Sequence, residues 1–197
     1  LTDDNIAARL NGLVARGEAC GANPMCTTLT AALVWRDCAV VQWVGDSPAY
    51  LYQAATDSLL RLNVEHNLSR EPGERISDSD GGGVLTRVAG GVWSESERKC
   101  LPRRDTPSRV TVCLAPGDAL LLASDGLPNG LAPMDERGSL ARIGELVRTA
   151  LRREKPAAET AKMLAHQADA GQSSDNITVN VLLVVGNRDN REEKHHG

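Results

Sequence analysis

The links between the first apolar runs of this chain are too short for anything but antiparallel pairing. Residues 27–35, 39–44 and 49–53 are rich in β-branched, aromatic and other apolar side chains, separated by the short connections Arg36-Asp37-Cys38 and Asp46-Ser47-Pro48. A parallel crossover takes roughly a dozen residues or more, usually as a helix, whereas a strand reverses in a few. The runs therefore predict an antiparallel meander. A shorter run, 59–62, follows the turn around Thr56-Asp57-Ser58, and two further strands, 110–114 and 119–124, flank the turn Ala115-Pro116-Gly117-Asp118. A last strand is expected over 177–185.

Helical periodicity is confined to other stretches. Ile6, Leu10, Leu13 and Val14 make one apolar stripe, predicting an amphipathic helix over about 3–16 that Gly21-Ala22-Asn23-Pro24 ends. Ile143, Leu146, Val147, Ala150 and Leu151 make a second stripe, and Ala161, Leu164, Ala165 and Ala168 a third. Pro156 suits the first turn of that last helix and Gly171 its end. Between Asn63 and Gly91 polarity rises, Pro72-Gly73 and Gly81-Gly82-Gly83 interrupt the chain, and a loop or flap is expected. Strands and helices segregated in this way argue for α+β. With 197 residues, 41% of them hydrophobic, the chain is long enough to bury a core, and it reads as one domain over 1–186 followed by a polar tail, 187–197.

Several function classes are disfavoured. No apolar run is long enough to cross a bilayer, and Leu1-Thr2-Asp3-Asp4 has neither the basic start nor the apolar stretch of a signal peptide, so a cytoplasmic location is the default expectation. Nucleic-acid binding would call for a basic face with aromatic platforms. Here net charge is −4, aromatics are 3%, Phe is absent, and the basic clusters Arg98-Lys99, Arg103-Arg104 and Arg152-Arg153-Glu154-Lys155 are short, which suits solvated surface. The five cysteines contain no C-x-x-C pair, and Cys38 and Cys113 fall in strand-like runs, where they read as small buried hydrophobes of a reducing compartment.

Three aspartates sit where apolar strand residues stop: Asp46 after Val44-Gly45, Asp125 after Leu121-Leu122-Ala123-Ser124, and Asp175 before Asn176-Ile177-Thr178-Val179. A lone Asp in such a place is usually a turn former. Three of them supply what a hard divalent cation requires, and carboxylate-only ligation selects oxygen-loving metals over zinc. Asp125 ends a nearly continuous apolar run and Asp175 precedes another, so antiparallel strands can bring the two carboxylates to one ion despite their separation in sequence.

The order and neighbours of these segments carry a resemblance. Val44-Gly45-Asp46-Ser47-Pro48-Ala49-Tyr50-Leu51-Tyr52, Val84-Leu85-Thr86-Arg87, Pro116-Gly117-Asp118 running to Asp125-Gly126-Leu127, and Asp175-Asn176-Ile177-Thr178-Val179 together resemble the metal-dependent protein phosphatase family, or protein phosphatase type 2C, over about 25–185. The resemblance implies a four-layer α-β-β-α sandwich, two antiparallel sheets flanked by helices. It implies hydrolysis of phosphoserine and phosphothreonine in protein substrates by a water activated between two Mn²⁺ or Mg²⁺ ions, with Asp125 and Asp175 on one of the pair and Asp46 on a third, weaker ion. Phosphorylated proteins and Ser/Thr kinases are the implied partners, and no nucleic acid or membrane. His66 resembles the family's His at the start of the flap, for which a structural hydrogen-bonding role is expected; Thr27 and Thr28 are likewise expected to be structural. Two departures stand out: Pro48 where the family usually has Arg, and Cys26 where it has Gly.

The rest of the family's site precedes its first helix: an Arg that grips phosphate, and an Asp-Gly followed by Met-Gly-Gly that bridges the metals. Nothing in residues 1–21 matches it. The expectation is a chain that belongs to a longer phosphatase; the alternative is an inactive pseudophosphatase that binds a phosphoprotein or kinase.

Overall fold

The computed structural model describes residues 26–67, 85–94, 99–103, 107–132, 135–171, 173 and 175–186. Among them, strands β1 (Cys26–Thr27), β2 (Leu29–Trp35), β3 (Cys38–Val44), β4 (Ala49–Gln53), β5 (Ser58–Arg61), β6 (Ala89–Ser94), β7 (Lys99–Arg103), β8 (Ser108–Cys113) and β9 (Ala119–Ala123) precede helices α1 (Gly126–Leu131), α2 (Glu136–Arg152) and α3 (Ala157–Ala170), and β10 (Val179–Leu183) follows. They form sheets of order β1-β6-β7, β2-β3-β8 and β10-β9-β4-β5. The class is α+β, as the segregation of periods implies. The helix expected over 3–16, the middle of the flap and the tail 187–197 lie outside the described residues.

The chain divides into two compact units, the first comprising Leu1–Val34, Val40–Ala49 and Leu62–Thr111, the second Trp35–Ala39, Tyr50–Arg61 and Val112–Gly197. In the first, β1 pairs with β6, Thr27 opposite Ala89, and β6 pairs with β7, all antiparallel. β3 alternates as a strand with one face inward should: Val41 and Trp43 are buried while Val40 and Gln42 are half-exposed. Trp43 anchors the chain further on, its Nε1 donating to the Val64 carbonyl at 2.8 Å and its ring stacking on His66 at 6.1 Å between centroids.

In the second unit, β9 and β10 pair antiparallel from Val179 opposite Ala123 to Leu183 opposite Ala119, and β4 pairs with β5 from Tyr50 opposite Arg61 to Gln53 opposite Ser58. The end of β4 lies beside the start of β9, since the Ala54 amide donates to an Asp118 carboxylate oxygen at 2.9 Å, so this neighbouring pair is antiparallel too. The helices bury their predicted stripes on this sheet. Ile143, Leu146 and Val147 of α2 and Leu164 and Ala168 of α3 share a core with Tyr50, Tyr52, Leu121 and Leu127. Each fully buried large side chain contributes about 1.5–3 kcal/mol over exposure, so this core is the main source of the unit's stability.

Asp118 is a buried turn residue. Its second carboxylate oxygen accepts from the Ala115 amide at 2.8 Å, closing the Pro116-Gly117 turn in which Gly117 takes a φ of 96°. Five expectations need correction. Cys38 is half-exposed and Cys113 exposed rather than buried, since each faces outward at a strand end. The run 27–35 breaks at Thr28, whose hydroxyl meets Ser47 at 2.7 Å, and Cys26–Thr27 pair with β6 as a separate strand. The flap gives way to strand at Ala89, and α1 occupies a stretch whose Gly and Pro content hid a helix. Pro156 caps α3 from outside rather than standing in its first turn.

Candidate metal centre

Asp125 and Asp175 meet, and the chain around them explains how. The antiparallel ladder of β9 and β10 extends past its last paired residues: the Ser124 amide donates to the Thr178 carbonyl at 3.0 Å. The Ser124 hydroxyl then bridges two turns of backbone, accepting from the Thr178 amide at 2.9 Å and donating to the Asn176 carbonyl at 2.9 Å. One residue on, Gly126 lets the 176–177 backbone press against the start of α1, where any Cβ would collide. On the other side, Asp175 is set by local bonds: its amide reaches the Ser173 hydroxyl at 3.3 Å and its Oδ1 accepts from the Asn176 amide at 2.7 Å. Close packing of Gly130 on Ala168 and of Gly171 on Gly130 fixes α1 against the end of α3.

Electrostatics at this pair are unfavourable without a cation. Burial pushes the Asp125 carboxyl above its ordinary range, and the charge of Asp175 beside it pushes the same way; the Gly126 amide offsets part of this. Asp125 occupies the N-cap position of α1 yet makes no capping hydrogen bond.

Asp46 belongs to the other unit, where the turn carrying it is held from several sides. Gly45 takes a φ of 98° and lies under Thr28, leaving no room for a Cβ. Its amide donates to Nδ1 of the buried His66 at 3.2 Å, and the His66 amide returns a bond to the Gly45 carbonyl at 3.0 Å. With Nδ1 accepting, the ring proton sits on Nε2, which faces the Ser108 hydroxyl at 2.9 Å. Beyond Asp46, the Ser47 carbonyl accepts from Thr30 Oγ1 at 2.7 Å and from Asn63 Nδ2 at 2.9 Å. His66 and Thr28 have the structural roles expected of them.

Sequence reasoning assigned no role to Ser124, Thr30 or Asn63 as positioning residues. For Ser124 the signal was present, a hydroxyl at the last position of an otherwise apolar strand. For Asn63 and Thr30 it was not, because their partner Ser47 lies far off in sequence.

Donor chemistry at the Asp125–Asp175 pair fits a hard divalent ion: two carboxylates in contact, one of them half-buried, with waters able to complete the coordination as Mg²⁺ prefers. Among the described residues no group of three or more His, Cys, Asp or Glu side chains could hold an ion. Among the same residues no helix is long and apolar enough to cross a membrane.

No protein-family model and no curated protein matches the chain. Solved structures do. The chain is similar to a serine/threonine phosphatase of S. agalactiae at 21% identity and a TM-score of 0.65, covering 90% of this chain and 67% of that one. PppA, a regulatory component of the type VI secretion system in Pseudomonas aeruginosa, matches at 26% identity and a TM-score of 0.61 over 89% of this chain and 66% of its own. The catalytic domain of the serine/threonine protein phosphatase PstP, crystallised with two manganese ions, matches at 22% identity and 0.65 over 94% and 74%. The fold is that of the PPM phosphatases, an α+β fold of antiparallel sheets and helices, and the chain spans about two thirds to three quarters of the length of these proteins.

Proposed function

We propose that the chain is the greater part of a metal-dependent protein serine/threonine phosphatase, with Asp125 and Asp175 holding one Mn²⁺ or Mg²⁺ and Asp46 serving a further, weaker ion. The observation that carries this reading is the contact of Asp125 with Asp175, in a fold whose solved members include Ser/Thr phosphatases. Two acidic groups driven together against their own repulsion and tied there by Ser124 and Gly126 are a costly arrangement unless a cation is their partner.

The chain's own residues do the positioning. Ser124 fixes the separation of the segments bearing the two ligands, and the Asn176 amide orients the Asp175 carboxylate through Oδ1. When bound, the ions supply Lewis-acid neutralisation of phosphoryl charge and lower the pKa of water. Phosphoserine and phosphothreonine proteins are the substrates this reading assigns.

The test is phosphate release from phosphothreonine peptides with and without Mn²⁺. Residues 1–21 contain no counterpart of the family's metal-bridging Asp-Gly or phosphate-gripping Arg, so slow, Mn²⁺-dependent turnover is expected, abolished in folded Asp125→Asn and Asp175→Asn. Turnover indifferent to Mn²⁺ or to both substitutions overturns the metal assignment. Phosphopeptide binding with no turnover at all favours the pseudophosphatase reading.

A further inference from the structure

We propose that Cys38 and Cys113 form a reversible disulfide, making the outer face of the β3–β8 pair a site of thiol oxidation. β3 begins at Cys38, β8 ends at Cys113, and the two strands are neighbours in their sheet. Just beyond both cysteines the Leu114 amide donates to the Asp37 carbonyl at 2.7 Å. A bond between these flanking residues makes Cys38 and Cys113 a directly opposed, non-hydrogen-bonded antiparallel pair, whose Cα atoms approach to about 4.5 Å with side chains on one face. That lies within the roughly 4.4–6.8 Å that a disulfide spans.

The face they share is open. Arg109, Thr111 and Cys113 are the exposed positions of β8, and Cys38 is half-exposed while its neighbour Ala39 is buried. Both thiols are free. Cys38 Sγ stands 3.7 Å from Asp37 Oδ1, and burial, the Asp37 charge and the adjacent Cys113 thiol all hold the Cys38 thiol above its ordinary range. Cys113, the more exposed of the two, therefore meets an oxidant first.

With a small disulfide such as oxidised glutathione, the Cys113 thiolate attacks one glutathione sulfur, forming a mixed disulfide and releasing one glutathione thiolate. Cys38 then gives its proton to solvent and attacks the Cys113 sulfur, forming the Cys38–Cys113 bond and expelling the second glutathione. Two cysteines are oxidised by two electrons, and one glutathione disulfide is reduced to two thiols. Exposure keeps the bond accessible to thiols, so the same exchange reverses it.

The experiment is oxidation of the folded chain with oxidised glutathione, alkylation of remaining thiols, and peptide mapping without reductant. The expected result is a peptide joining Cys38 to Cys113, lost on adding dithiothreitol. In Cys38→Ser the reaction should stop at a glutathione adduct on Cys113, and in Cys113→Ser Cys38 should remain open to alkylation. Recovery of Cys38 and Cys113 both alkylated, both carrying glutathione, or linked instead to Cys20, Cys26 or Cys100 overturns the proposal.

Discussion

A methyl group on Gly126 would stand 2.5 Å from the Asn176 carbonyl oxygen, so these two residues are in contact only because one of them has no side chain. The obstacle is backbone, already held by the Ser124 hydroxyl, and cannot swing aside. Gly126→Ala should therefore destabilise the chain by about 1–3 kcal/mol, as overpacking does, and separate the two carboxylates. Urea denaturation gives the first effect and loss of the Mn²⁺-induced rise in Tm the second. Wild-type values for both would mean that the segment repacks freely.

Removing one of two repelling charges has the opposite sign. Asp125→Asn should raise the Tm measured in chelator, because the half-buried like-charge contact with Asp175 disappears, and should blunt the further rise on adding millimolar Mn²⁺. Differential scanning calorimetry in chelator and in Mn²⁺ separates the two. Identical curves for wild type under both conditions would leave the pair without a cation.

Asp57 offers a pH signature of its own. The Arg148 guanidinium, with its Nε at 2.6 Å, and then the Tyr52 hydroxyl at 2.5 Å hold its carboxyl below the ordinary 3.8. A carboxyl depressed in the folded state contributes stability above its unfolded pKa and loses it as pH falls through the lower folded value. The urea midpoint of wild type should thus drop more steeply below about pH 4 than that of Asp57→Asn. Parallel profiles would show that solvent screens the cluster at this exposed site.

The Gly45 turn lends itself to a double-mutant cycle. Gly45→Ala faces a φ of 98° and a clash at 2.5 Å with Thr28 Cγ2, and should cost about 2 kcal/mol or more. Thr28→Ser keeps the hydroxyl that meets Ser47 while deleting that methyl. Combined with Gly45→Ala, it should recover part of the loss, leaving the backbone term and the 2.7 Å approach to Thr28 Cβ. Strict additivity in denaturant melts would contradict the packing explanation.

Much of this was legible from period and connection length alone. Strand β4 lies where its β-rich run and the short links put it, and the stripes of α2 and α3 are the faces the core buries, because burial and periodicity are two statements of one constraint. Strands β6 and β7 were not legible: Gly90, Gly91 and Pro102 argue against strand locally, and only pairing partners distant in sequence override them. At the site, Asp125 and Asp175 could be named from their places at strand ends. The hydroxyl of Ser124 at the end of an apolar run was a local sign, but the partners of its double hydrogen bond depend on the β9–β10 register.

Ser124's clasp bears on the thermodynamics of ion capture. Because the Asn176 carbonyl and Thr178 amide are both fastened to one hydroxyl, the backbone just after Asp175 surrenders its conformational freedom during folding and has little left to lose when a cation arrives. Calorimetry of Mn²⁺ binding should then report a favourable entropy dominated by released hydration water, whereas Ser124→Ala, which lets that backbone loosen, should bind with a less favourable entropy and a slower approach to saturation.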